Sequence, residues 1–213
     1  LAGEFSWDDV EAETQGGVRW TNGTYSGVGH HDKDSDTFTL TRPLSENPPE
    51  GMVLPEPEDV AFPQLCDDPF RGGDPRFTDP DLTRQPALQS RLQNLDGYVG
   101  SYVSDGVSMF NVLVTGDPEV AHAELREVWR GGLCVEQRQD APEVDLLAAQ
   151  QALTTIHEEL GVLSSGPDGM TGRLDIQILV ADESTVQRIH KTVSPWLTPE
   201  QVQITSSFQP LSR

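Results

Sequence analysis

The stretch GRLDIQILVAD, residues 172–182, shows the clearest strand pattern in the chain. Its apolar and polar side chains alternate, so a strand here turns one face to a core and the other to solvent. Asp182 then stands at the N-cap of a predicted helix, which Ser194-Pro195 ends. The segment Gln201–Phe208 follows as a second strand. The stretch therefore predicts a strand, a helix and a further strand.

A second stretch repeats this order earlier in the chain. Leu113–Asp117 ends a predicted strand with a small residue and an Asp cap, and a helix then leads to the strand Leu133–Gln137. Two such units form a degenerate internal repeat. Because each unit must cover one face of its sheet, we expect an α+β fold made of two related β-α-β halves, with the helices packed on antiparallel sheet.

Further elements surround the repeat. Helices are predicted over Leu82–Leu95 and Pro142–Leu160 from their apolar spacing. Ser104-Asp105-Gly106 lies between two apolar runs and indicates a hairpin turn. Gly161–Gly172 is expected to be a loop.

The domain boundary is expected near residue 82. Residues 82–213 form the predicted α+β domain, with a first half at 82–140 and a second half at 141–213. Residues 1–81 are predicted to be an irregular, extended N-terminal arm, because X-Pro pairs and turn-forming residues recur through them.

The charge balance is strongly acidic. The 213 residues include 14 Lys and Arg against 35 Asp and Glu, a formal net charge of -21. Such a surface repels phosphate backbones and anionic lipid headgroups, so we expect neither nucleic-acid binding nor electrostatic docking on a membrane. Solubility is the simplest reason for the charge, and attraction to cations or to a basic partner is the alternative.

The two cysteines, Cys66 and Cys134, bear on the cellular compartment. An even, small count fits one structural disulfide in an exported protein, whereas two buried thiols in a cytosolic protein are the alternative. No apolar run is long enough to span a bilayer. The start at Leu1 rather than Met is expected after removal of a signal peptide. We therefore expect an extracellular or cell-surface location without direct membrane insertion.

A lipid anchor is a further alternative at the N-terminus. Leu1-Ala2-Gly3 resembles the tripeptide that precedes the lipidated cysteine of a lipoprotein, but Glu4 stands at the cysteine position.

The predicted hairpin carries a family likeness. Tyr98–Tyr102 (YVGSY), followed by a turn and Phe110–Thr115 (FNVLVT), resembles the first hairpin in the pro-regions of streptogrisin and α-lytic protease type serine proteases. The long helix from Pro142, the strand Arg173–Ala181 and the terminal strand Val202–Phe208 are similar in order and spacing. The likeness rests on this pattern and not on an invariant signature.

The resemblance, over about residues 95–211, implies an interaction protein. Such a pro-region helps its own protease to fold and inhibits it, because its C-terminal strand pairs with a protease hairpin and its tail fills the active-site cleft. By this likeness Gln201–Arg213 is the contacting segment. The implied partner-binding side chains are Val202, Ile204, Phe208 and Leu211. With no protease after Arg213, we expect the chain to act in trans or to use the fold for another purpose.

The densest group of metal-ligating side chains lies in the N-terminal arm. It comprises His30, His31, Asp32, Asp34 and Asp36. Asp at alternate positions suggests a Ca²⁺ loop, but Thr37 stands where such a loop needs a Gly. Adjacent His side chains in a strand also point apart. A solvated loop is the simpler interpretation, and the site of a metal-dependent hydrolase is the alternative.

No other motif carries catalytic chemistry. The chain has no G-x-S-x-G turn, no zinc-ligand spacing and no phosphate-binding loop. A Cys134 nucleophile with His122 or His157 as its base is the alternative to a disulfide. We therefore expect an exported, non-enzymatic binding module without a cofactor. A trans-acting folding chaperone or inhibitor of a secreted serine protease is the alternative function.

Overall fold

The computed structural model describes residues 2–3, 5–33, 35, 37–50, 52, 61–75 and 82–209. These residues divide into two compact units, one up to residue 52 and the other from residue 61 to residue 209.

The N-terminal unit consists of short strands. They are β1 (Ala2–Gly3), β2 (Glu13–Gln15), β3 (Val18–Trp20), β4 (Gly29–Asp32) and β5 (Thr37–Leu40). β4 and β5 are antiparallel, β1 adds to β5 in parallel, and β2 and β3 form a separate hairpin. Leu40 is the one buried residue among the described residues of this unit, because polar and turn-forming residues dominate its sequence.

The second unit contains four helices and six strands among its described residues. The elements of its first half are α1 (Gln85–Gln93), β6 (Tyr98–Val103), β7 (Phe110–Val114), α2 (Pro118–Arg126) and β8 (Leu133–Gln137). Those of its second half are α3 (Glu143–Thr154), β9 (Val162–Asp168), β10 (Arg173–Val180), α4 (Glu183–Val193) and β11 (Val202–Phe208). This content confirms the α+β class.

The two halves have the same topology. Each consists of a helix, an antiparallel hairpin, a second helix and a third strand that lies parallel to the middle strand. The strand orders are β6-β7-β8 and β9-β10-β11. Each sheet therefore contains the antiparallel pairing that the sequence predicts and one parallel pair, because a β-α-β crossover makes its two strands parallel.

Each half has its own hydrophobic core beneath its helices. The first-half core combines α1, α2 and the inward side chains of β7, and includes the fully buried Trp129. The second-half core combines α3, α4 and the inward side chains of β10. The face of each sheet turned away from its helices is called the outer face below.

Aspartates occupy equivalent positions in the two halves, at helix caps and in hairpin turns. Asp117 and Asp182 cap α2 and α4, as the sequence predicts, by accepting hydrogen bonds from backbone N–H groups of the first helical turn. Asp105 accepts hydrogen bonds from the N–H groups that follow it in the β6–β7 turn, and Asp168 accepts one from Met170 N in the β9–β10 turn.

Two sequence-based predictions in the second half are wrong. The helix predicted to reach Leu160 ends at Thr154, and a short 3-10 helix (Glu158–Leu160) follows. Gly161–Gly172, predicted to be a loop, contains strand β9. Ser, Gly and Pro give β9 little strand propensity of its own, so its pairing with β10 determines its conformation.

Candidate partner-binding edge

Residues 61–75, called the strap below, lie against the outer face of the first-half sheet. The predicted disulfide between Cys66 and Cys134 joins the strap to β8, with an S–S distance of 2.03 Å. Leu133 N, at the start of β8, also donates a hydrogen bond to Pro69 O at 2.8 Å. The strap thus covers the start of β8, on its outer face and along its outer edge.

One row of side chains across the outer face holds the strap. Tyr102, Asn111 and Cys134 are cross-strand neighbours on β6, β7 and β8. The Tyr102 hydroxyl donates to Pro63 O at 2.8 Å, and Asn111 Oδ1 accepts from Leu65 N at 2.8 Å. Together with the disulfide, all three members of this first-half row therefore bind the strap.

A buried arginine holds the far end of the strap. Arg126 has 8% of its surface exposed, and its guanidinium donates to Pro69 O and Arg71 O of the strap. It also donates to Gly131 O, which lies just before β8. Desolvation, and then the nearby positive charges of Arg130 and Arg71, lowers the pKa of Arg126 to about 10. Arg126 is thus protonated at neutral pH and donates to neutral carbonyls.

The four edge strands of this unit differ in how they are protected. Edge strands invite pairing with another chain unless a bulge, charge, proline or covering segment blocks them. β6 has a bulge near its start, β8 is covered by the strap, and β9 carries a bulge together with Pro167 and Asp168. β11 has seven residues, VQITSSF, with no charge, proline or glycine, and its register with β10 shows no irregularity.

The four partner-binding residues predicted from the sequence differ in where they lie. Val202 and Ile204 pack partly against the second-half core, so their side chains face inward. Phe208 is half-buried at the end of β11, and Leu211 lies outside the described residues. The exposed side chains of β11 are Gln203, Thr205 and Ser207. A partner at this edge would therefore meet the backbone of β11 and these polar side chains.

The second half contains a row equivalent to the one that binds the strap. Gly166, Asp175 and Gln203 are cross-strand neighbours on β9, β10 and β11, and Asp175 and Gln203 are exposed. A Cβ at Gly166 would meet no atom of the described residues within 4 Å, so there is open space beside Gly166. Desolvation first, and then Asp168, raises the pKa of Asp175, whereas Arg173 lowers it.

Sequence inspection missed the importance of Asn111, Asp175 and Arg126. A signal for the first two was available, because each is a polar residue that follows the first inward residue of its middle strand in the repeat. Aligning the repeats position by position would have paired them. Arg126 carries no such signal, since its role depends on strap carbonyls distant in sequence.

The described members of the predicted metal-binding group, His30, His31 and Asp32, do not come together to hold a metal ion. His30 and His31 are successive residues of β4, and their different exposure places them on opposite faces of the strand. Asp32 Oδ1 accepts a hydrogen bond from Ser35 N, whereas Asp34 and Asp36 lie outside the described residues. Within the described ranges, no three His, Cys, Asp or Glu side chains come together to hold a metal ion.

The alternative of a Cys134 nucleophile is wrong, because the disulfide leaves it no thiol. Its suggested base His122 is buried, and desolvation, followed by Arg126 and Arg71, lowers its pKa. Buried neutral histidine is consistent with packing in the core of the first half.

Comparison with known protein families and with curated proteins finds no match for this chain. In the part of the chain that the structure describes, no helix combines the length and hydropathy that crossing a membrane requires.

Proposed function

We propose that this chain is an exported, non-enzymatic binding module that captures an extended segment of a partner protein along the outer edge of β11. The edge of β11 carries the proposal, since it has no bulge, charge or proline, whereas the other three edges of this unit are bulged, interrupted or partly covered by described residues. Main-chain hydrogen bonds to an edge strand are a general mode of peptide recognition. The disulfide supports export.

The serine-protease alternative is a special case of the same mode. The position of β11 at the edge of its sheet is where the pro-region likeness places the contact with a protease hairpin. By this alternative the chain acts in trans as a folding chaperone or an inhibitor of a secreted serine protease.

The test uses a charge placed on the edge. Thr205→Lys puts a positive charge on an exposed position of β11, which should hinder strand pairing while the core stays intact. Gln151→Lys, an exposed position on α3, is the matched control. Proteins captured from culture supernatant by the immobilised chain are compared among wild type and both variants.

We expect at least one stoichiometric partner whose capture falls about tenfold or more for Thr205→Lys and stays unchanged for Gln151→Lys. Equal capture by all three proteins would contradict binding at β11.

In a separate assay, a purified streptogrisin-type protease is inhibited if the protease alternative holds, and Thr205→Lys weakens that inhibition. No inhibition, or equal inhibition by both variants, would contradict this alternative.

A further inference from the structure

The two equivalent rows suggest which kind of segment the second half takes. In the first half, Tyr102, Asn111 and Cys134 all bind an irregular, extended segment that crosses the outer face of the sheet. The second half has the same register, with Gly166, Asp175 and Gln203 at the corresponding positions. Within the described residues, no segment crosses that row.

We propose that the row Gly166, Asp175 and Gln203 is a second strap site, which receives an extended, proline-flanked segment of the partner protein. Asp175 accepts a backbone N–H of this segment as Asn111 accepts that of Leu65. Because the row includes Gln203 of β11, the inference rests on the proposed function. It specifies the kind of partner segment that binds.

The shape of the row fits a segment that lies across the face. The open space above Gly166 leaves room where Tyr102 stands in the first half. Asp175 is exposed on β10, the middle strand of the sheet, so its carboxylate can meet a crossing backbone without displacing a core side chain. Gln203 occupies the position of Cys134, at which the strap is fastened to β8.

Charge determines how the partner segment must differ from the strap itself. The strap carries Asp67 and Asp68 directly after its cysteine. In the second half, the charge of Asp168 acts on Asp175 and is opposed only in part by Arg173. A basic segment therefore fits this row better than an acidic one.

Disulfide trapping in the full-length chain tests the equivalence directly. The variant Gln203→Cys keeps the native disulfide and adds one thiol at the position equivalent to Cys134. The probe is a synthetic peptide of residues 61–71 with Asp67 and Asp68 replaced by Lys and its cysteine activated as a mixed disulfide with thionitrobenzoate. The introduced thiolate attacks the peptide sulfur, an S–S bond forms, and thionitrobenzoate leaves as a coloured thiolate that reports the rate.

Control positions separate a site from random collision. Gln151→Cys on α3 is exposed but away from the sheet, and reaction with a small thionitrobenzoate disulfide corrects for the reactivity of each thiol. We expect the corrected rate at Gln203→Cys to exceed that at Gln151→Cys by about tenfold or more. Equal corrected rates would overturn the second strap site.

The role of Asp175 has its own readout. In the Gln203→Cys background, Asp175→Ala should slow trapping about fivefold, whereas Asp175→Asn, which keeps a side-chain oxygen, should restore at least half of the rate. The unmodified acidic peptide should react more slowly than the Lys-containing one, and salt should reduce the difference. No effect of Asp175→Ala would remove Asp175 from the site.

The outcomes also separate this inference from the proposed function. If Thr205→Lys abolishes partner capture but trapping at Gln203→Cys is not enhanced, the edge of β11 binds a partner and the second strap site is wrong. If neither effect is seen, both proposals are wrong.

Discussion

The two halves of the α+β unit share one topology but differ in what lies on the outer faces of their sheets. In the first half, β7 is buried at all five of its residues, because helices cover one face and the strap helps to cover the other. In the second half, β10 alternates between buried and exposed side chains, because only its helical face is covered within the described residues. The difference teaches that one half of a repeat can have the outer face of its sheet covered by its own chain while the equivalent residues of the other half are exposed.

The largest expected effect comes from removing the disulfide. Cys66→Ala with Cys134→Ala should lower the free energy of unfolding by about 4 kcal/mol, because the two cysteines are 68 residues apart and their link restricts the unfolded chain. Denaturant unfolding measures the loss, and hydrogen exchange should place it mainly in α1, α2 and β6–β8. A loss below about 1 kcal/mol would show that the disulfide is not needed to stabilise the strap.

The next largest expected effect on stability comes from replacing the buried Arg126. Arg126→Met should cost about 3 kcal/mol, since it removes the guanidinium hydrogen bonds to Gly131 O and to the strap carbonyls Pro69 O and Arg71 O. The control Arg188→Met removes an exposed ion pair with Glu159 in the second half and should cost less than about 0.5 kcal/mol. Equal costs, measured by thermal and denaturant unfolding, would contradict a structural role for the hydrogen bonds of Arg126.

The sharpest comparison is between the stability costs of substitutions at Asn111 and Asp175, which occupy equivalent positions in the two halves. Asn111→Leu should cost about 2 kcal/mol, because the side chain is fully buried and Leu65 N loses its acceptor. Asp175→Leu should change stability by less than about 0.5 kcal/mol, because Asp175 is exposed on an uncovered face. If the two substitutions cost the same, the outer faces of the two halves are not covered differently in solution.

The smallest expected effect on stability comes from replacing Asp105 in the β6–β7 turn. Burial raises the pKa of the Asp105 carboxyl, but hydrogen bonds from the N–H groups of Met109, Ser108 and Val107 lower it more. A lowered pKa in the folded state means that the carboxylate stabilises the fold fully above its ordinary pKa of about 4, and less as pH falls through the lower folded-state value.

We therefore expect Asp105→Ala to cost about 1 kcal/mol at neutral pH and progressively less below about pH 4. Unfolding measured from neutral to strongly acidic pH in wild type and variant tests this. Asp105→Asn is the control, since it keeps an acceptor for the turn but cannot titrate. A difference between wild type and Asp105→Asn that does not depend on pH would contradict the role of the carboxylate.

The sequence by itself determined the elements whose pattern is local. Alternation in residues 173–180 predicts β10, and the caps Asp117 and Asp182 predict where α2 and α4 begin. The repetition of these signals predicts the two related halves and the α+β class. The even cysteine count predicts the disulfide, although the strap that it fastens is not recognisable from its irregular sequence.

Only the tertiary structure decided which surfaces are open. β9 is a strand because β10 lies beside it, and its Ser, Gly and Pro residues indicate a loop when considered alone. The strap binds the first half through Arg126 and Asn111, whose partners lie 46 to 57 residues away. Whether an edge is covered depends on such distant contacts. Sequence patterns show only the spacing of apolar residues within a segment and the residues at which the segment begins and ends. Among the described residues, the different treatment of the edges of β8 and β11 was therefore visible only after the fold had brought the strap to β8.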